Sequence, residues 1–202
     1  MTGVPRLVLA SASPRRRDLL ASLGVAFEVR PVDADESPRP GEWPEALALR
    51  LALAKARAAA AVGDLALGAD TVVAVDDEPL GKPADAAEAR TMLARLSGRR
   101  HRVWTGVALV EQDVRRRREA VRAARTEVEF RPLTAAEIDA YVATGEPLDR
   151  AGAYAIQGGA AAFAARVEGS WSNVVGLPLE LLLDLLARLG WSPAEFALSR
   201  RT

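Results

Sequence analysis

Two hydrophobic periods divide this chain. Apolar residues at 7–10, 27–32, 65–75, 101–110 and 121–130 run continuously or alternate, the spacing of buried and half-buried strands. Positions 18–23, 45–62, 84–96, 134–143 and 177–189 carry apolar residues three and four apart, the spacing of helices. Stop signals agree with these limits: Gly24, Gly63, Ser97-Gly98 and Gly145 each follow a helical stretch, and Thr134 three residues before Glu137 forms a capping box. The order of elements predicts an α/β fold. An acidic, proline-rich loop fills 33–44, a turn fills 76–79, and a charged stretch at 111–119 joins two strands, with Arg115 to Arg118 read as a solvated hairpin tip. Between Gly145 and Gly176 glycines cluster among aromatic, amide and small residues, a pattern suited to a surface where backbone approaches a ligand. Residues 191–202 read as a tail. With no internal repeat and no linker, the 202 residues form one domain, arranged as two lobes if a cleft divides it.

Composition narrows the chemistry. Twenty-seven basic residues balance 27 acidic ones, so no overall field draws the protein to nucleic acid or a membrane, and an anion site must be local. The start lacks a basic segment followed by an apolar core, and no apolar run approaches the roughly 20 residues of a membrane span. The expected location is the cytoplasm. Cysteine is absent and His101 is the only histidine, which excludes disulfides, thiol catalysis and His/Cys zinc sites. A metal must therefore sit on oxygen ligands, as magnesium or manganese does.

The segment Ser11-Ala12-Ser13-Pro14-Arg15-Arg16-Arg17 places three cations at a helix start, where partial positive charge already collects. An anionic ligand resolves the conflict: Pro14 suits the first helical position, Ser13 the cap, and free N–H groups with guanidinium forks make a phosphate site. Solvation or pairing with carboxylates is the plainer alternative. Lys55 and Lys82 are the only lysines, and Lys55 lies beside the stripe of Leu47, Leu51 and Ala54 on its helix. Asp70 stands inside a strand that reads as buried. It must be neutralised by a cation, bind a metal or act as a base. Glu36 in the acidic loop can join it as a second oxygen ligand. Together these groups suit phosphoryl chemistry with a divalent ion, although the common nucleotide-binding glycine motifs are missing.

Seven blocks, in order, resemble the Maf family: Ser11-Ala12-Ser13-Pro14-Arg15-Arg16, Arg50-Leu51-Ala52 with Lys55-Ala56, Gly68-Ala69-Asp70-Thr71-Val72-Val73, Gly81-Lys82-Pro83, Leu96-Ser97-Gly98 with His101, Gly152-Ala153-Tyr154-Ala155-Ile156-Gln157-Gly158, and Asn173-Val174-Val175-Gly176-Leu177-Pro178. The resemblance implies an elongated mixed sheet related to the inosine triphosphatase group, with flanking helices and two lobes around a deep cleft. Members are nucleoside triphosphate pyrophosphatases, first described as septum-formation inhibitors. It further implies Asp70 as proton acceptor for water, Glu36 with Asp70 on the metal, and Arg16, Lys55 and Lys82 at the phosphates, with Ser11 and Ser13 in the same loop. Arg15, Thr71 and Gln157 match the branch acting on dTTP, UTP and related, including modified, pyrimidine nucleotides. Arg150 departs from the lysine usual there. Tyr154, Trp171 and Val174 read as packing, and His101 as support for a strand or loop. A nucleotide-binding regulator of cell division without turnover is the competing reading, and apolar residues of the last helix serve equally as core or as a homodimer surface.

Overall fold

One mixed sheet of seven strands organises the computed structural model of the chain, which describes residues 3–197. The strands are β1 (Arg6–Leu9), β2 (Glu28–Val29), β3 (Asp64–Val75), β4 (Glu78–Leu80), β5 (Arg100–Gln112), β6 (Arg117–Phe130) and β7 (Ala164–Glu168). Their order is β2-β1-β3-β5-β6-β7, with β4 paired to β3. β2, β1 and β3 run parallel, and all other pairings are antiparallel. The helices are α1 (Pro14–Ala21), α2 (Pro44–Ala59), α3 (Ala86–Leu96), α4 (Ala135–Ala143), α5 (Trp171–Val175) and α6 (Leu179–Arg188).

β1 pairs with β3 only as far as Leu9↔Leu67, and β4 reaches back along the same edge only to Val73↔Leu80. Among the described residues no strand pairs with that edge between Leu67 and Val73. This gap positions the site, because Asp70 and Thr71 lie in it and β1 delivers the Ser11–Arg17 segment beside it.

Helix α2 lies on the sheet at backbone contact distance. A Cβ on Gly68 would fall 2.1 Å from the Ala52 carbonyl oxygen, and one on Gly106 would fall 2.2 Å from that of Ala48. The fully buried Ala48, Ala52 and Ala56 complete the contact. Two larger apolar clusters complete the core. One gathers Leu93, Leu96, Val103, Phe130, Ile138 and Tyr154 around α3 and α4; the other gathers Leu20, Leu67, Leu109, Leu182, Leu185 and Leu186 around α1 and α6.

Four expectations change. The 27–32 strand shrinks to Glu28–Val29, since β2 is an edge strand and Pro31 has no N–H to extend the ladder. The 76–79 turn is a hairpin whose two central residues, Asp76 and Asp77, have φ of 53° and 61°, so Pro79 belongs to β4. Arg117 and Arg118 belong to β6, the tip being closed by a bond from Asp113 N–H to the Arg116 carbonyl. Residues 191–197 are no free tail: Phe196 is buried, its carbonyl accepts from Ala26 N–H at 2.6 Å, and Val25 bridges Ala197. The rest of that predicted tail, 198–202, lies outside the described residues.

Candidate active site

Asp70 shares a sheet face with Gly68 and Val72, since alternate strand residues point the same way. Because Gly68 admits α2 so closely, Lys55 on that helix arrives over Asp70. Its Nζ lies 2.6 Å from Asp70 Oδ1 and 2.5 Å from Glu36 Oε1. Lys55 and Asp70 are only 7% and 8% exposed, so this pair is largely withdrawn from water. Burial pushes the Asp70 carboxyl above its ordinary value, against the opposing pull of Lys55 and Arg16. Burial also resists ionisation of Glu36, but there the Lys55 bond and the charges of Lys55, Lys82 and Arg16 prevail and hold it low. The loop carrying Glu36 is strapped to α2 by Arg50, whose fork meets both Glu42 oxygens at 2.6 and 2.7 Å and the Ser37 carbonyl at 3.0 Å.

The three arginines separate. Arg16 donates from Nε to the Gly176 carbonyl (2.9 Å), from Nη1 to Ser11 Oγ (3.3 Å) and from Nη2 to Thr71 Oγ1 (3.1 Å). Two of its five N–H groups are left for a ligand. Burial lowers its pKa, opposed by Asp70 and Glu36. Arg15 is half-buried; burial, then Arg150 and Arg16, lower its pKa against Asp149 and Glu146. Arg17 is exposed, with its Nε 3.5 Å from Asp18 Oδ1. Ser13 caps α1, and Ser11 Oγ accepts from Ser13 N–H at 3.2 Å. Lys82 stands at the mouth, 3.0 Å from Asp149.

Gln157 is exposed on the cleft wall in a loop fixed at both ends. Tyr141 Oη accepts from Ala155 N–H (3.0 Å), and Glu146 Oε2 accepts from Gly159 N–H (2.9 Å). Two glycines here lie close against neighbouring side chains. A Cβ on Gly158 would fall 1.9 Å from Glu146 Oε1, and one on Gly152 would fall 2.8 Å from Val73. Tyr154 lines the cleft but is buried, with its hydroxyl 2.9 Å from His101 Nε2, so both act as packed support. Trp171 is half exposed, which departs from the packing role read for it. Ser11, Ser13, Arg15, Arg16, Glu36, Lys55, Asp70, Thr71, Lys82 and Gln157 all line one cleft of about 560 Å³.

The description "Maf-like protein" fits residues 6–189 of this sequence. The chain belongs to the Maf-like family. It is 56% identical over 187 residues to a dTTP/UTP pyrophosphatase of Anaeromyxobacter dehalogenans (strain 2CP-1 / ATCC BAA-258), covering 93% of this chain and 95% of that one. A dTTP/UTP pyrophosphatase of Moorella thermoacetica is likewise 56% identical, with 92% and 95% covered, and one of Myxococcus xanthus 54%, with 91% and 92% covered.

Within this Maf-like cleft Glu36 and Asp70 are the oxygen donors that would hold a divalent ion. No group of three or more acidic or histidine side chains is present among the described residues, so an all-protein cage is not available. Lys55 takes one oxygen of each carboxylate, and Glu36 Oε2 and Asp70 Oδ2 are the donors that would hold an ion drawing its remaining oxygens from substrate and water. Sequence reasoning missed Asp149 on the cleft wall and the residues that support the wall from behind: Thr105, whose hydroxyl oxygen lies 3.0 Å from that of Thr71, Tyr141 and Glu146. Thr105 alternates as any strand residue does, and nothing near Glu146 in the sequence announces its bond to Gly159.

Proposed function

We propose that this chain hydrolyses dTTP and UTP, and modified pyrimidine nucleotides of the same form, between the α and β phosphates, releasing the monophosphate and pyrophosphate. The observation that carries the reading is the buried Lys55–Asp70 pair, extended by Glu36, in one cleft with Arg16 and Gln157. The activity named for three relatives covering at least nine-tenths of this chain supports it. Asp70 takes a proton from water as the water oxygen bonds to the α-phosphorus. The bond from that phosphorus to the bridging oxygen breaks, and its electrons leave with pyrophosphate. Lys55 holds Asp70 and Glu36 in place and offsets their charge near the phosphates. Arg16 and Lys82 neutralise phosphate oxygens, with Ser11 and Ser13 in the same loop. A divalent ion held by Glu36 and Asp70 would supply further charge neutralisation on those oxygens. Gln157, with a donor and an acceptor on one amide, reads the pyrimidine edge beside Arg15. The reaction belongs to the soluble nucleotide pool of the cytoplasm; among the described residues no helix is long and apolar enough to cross a membrane.

A panel of nucleoside triphosphates with magnesium or manganese tests this. The expected result is the largest kcat/KM for dTTP and UTP. Saturable binding without turnover under every divalent ion would instead make the chain a nucleotide-binding regulator.

A further inference from the structure

Thr71 and Thr105 face each other across β3 and β5 in register, with their hydroxyl oxygens 3.0 Å apart. The direction of every hydrogen in this group is determined by its ends. Thr105 Oγ1 also lies 3.0 Å from the Asn173 carbonyl, which can only accept, so the single Thr105 hydrogen points there. Thr71 must then donate to Thr105, and Thr71 Oγ1 accepts from Arg16 Nη2 at 3.1 Å. The path closes on itself. Asn173 lies in α5, and Gly176, directly after that helix, accepts Arg16 Nε–H at 2.9 Å. Thr105 and Asn173 have no exposed surface, and Asn173 is itself anchored by Nδ2 bonds to the Val103 carbonyl and Thr126 Oγ1 at 3.0 and 2.9 Å.

We infer that Thr105 is a positioning residue for Arg16: a one-way relay from Arg16 through Thr71 and Thr105 to Asn173 fixes the guanidinium so that its two remaining N–H groups face phosphate. Thr71 thus serves Arg16, with only one lone pair left for a substrate. The inference rests on Arg16 as the phosphate-binding cation of the proposed function. A fork free to rotate would lose orientation for the anion before it lost charge, so the relay acts on phosphate affinity and leaves base preference alone.

Inorganic tripolyphosphate binding, measured by calorimetry in the presence of magnesium, tests the relay without requiring turnover. Thr105→Val, which keeps the branched shape and removes the hydroxyl, is expected to weaken binding about fivefold, the scale of one neutral hydrogen bond, and Thr105→Ser to restore it. Thr71→Val is expected to give the same loss, and the double variant no more than either alone. With dTTP and dCTP as substrates of Thr105→Val, both KM values should rise together at constant ratio. An unchanged tripolyphosphate affinity in a folded Thr105→Val protein, or full additivity of the two variants, overturns the inference. If Thr105→Val does not fold, Thr105→Cys, whose thiol is a much weaker donor and acceptor in the same place, takes its part in both comparisons. A wild type that binds tripolyphosphate through this relay but does not cleave dTTP would refute the proposed activity and leave the relay standing.

Discussion

The position of a Cβ on Gly68 lies 2.1 Å from the carbonyl oxygen of Ala52, inside any permitted contact. Backbone meets backbone there, and no side chain can yield. Gly68→Ala must lift α2 from the sheet and carry Lys55 away from Asp70. The expected cost is roughly 3 kcal/mol or more, a drop of about 6–12 °C in Tm for a domain of this size. Differential scanning calorimetry checks it, with loss of activity below the unfolding range as the companion result.

Asp70 must be ionised to accept a proton, and burial holds its pKa above the ordinary carboxylate value. The rate should therefore fall on acidification with a midpoint above about 4. Lys55 lowers that pKa, so Lys55→Met should move the acid limb of kcat/KM to still higher pH as well as slowing the reaction. A limb that stays in place in the variant would separate Lys55 from the ionisation of Asp70.

Much of this was legible in the sequence, and the remainder has a common cause. A charge in a buried strand required a partner, and two isolated lysines offered one; the resemblance then joined Asp70, Lys55 and Arg16. The β3 strand, the capped α4 and the leucine stripe of α6 were readable because local periodicity decides them. Thr105 and Asn173 were not, because they meet across 68 residues of sequence through one carbonyl. Glycines near Gln157 pointed to a ligand surface, whereas Gly152 is required by its φ of 68° and by the closeness of Val73.

Glu146 sets the loop that carries Gln157. Glu146→Ala removes the acceptor for Gly159 N–H, and preference for dTTP over dCTP should fall about tenfold in kcat/KM, the scale of one hydrogen bond to a charged acceptor. Glu146→Gln, whose amide oxygen still accepts, should recover most of it. Competition assays with paired nucleotides measure both.

His101 is buried and neutral, its pKa lowered to about 4 by loss of water. The unfolded chain takes up this proton near pH 6.5, so between these values it binds more protons than the fold, and stability falls as pH falls. The contribution is on the order of 3 kcal/mol across the window. Its ring packs edge-on to Phe130 at 4.9 Å, so His101→Phe keeps an aromatic contact while removing the titration. Denaturant midpoints at pH 7 and pH 4 should differ less in the variant than in wild type.

The most direct measurement follows dTTP and UTP by phosphorus NMR with wild type and Asp70→Asn. Wild type is expected to yield one pyrophosphate for each monophosphate. The variant should keep its fold and nucleotide binding while losing roughly 100-fold or more in rate, the scale of a lost general base. Release of orthophosphate with the diphosphate, or an Asp70→Asn protein that turns over like wild type, would contradict the account.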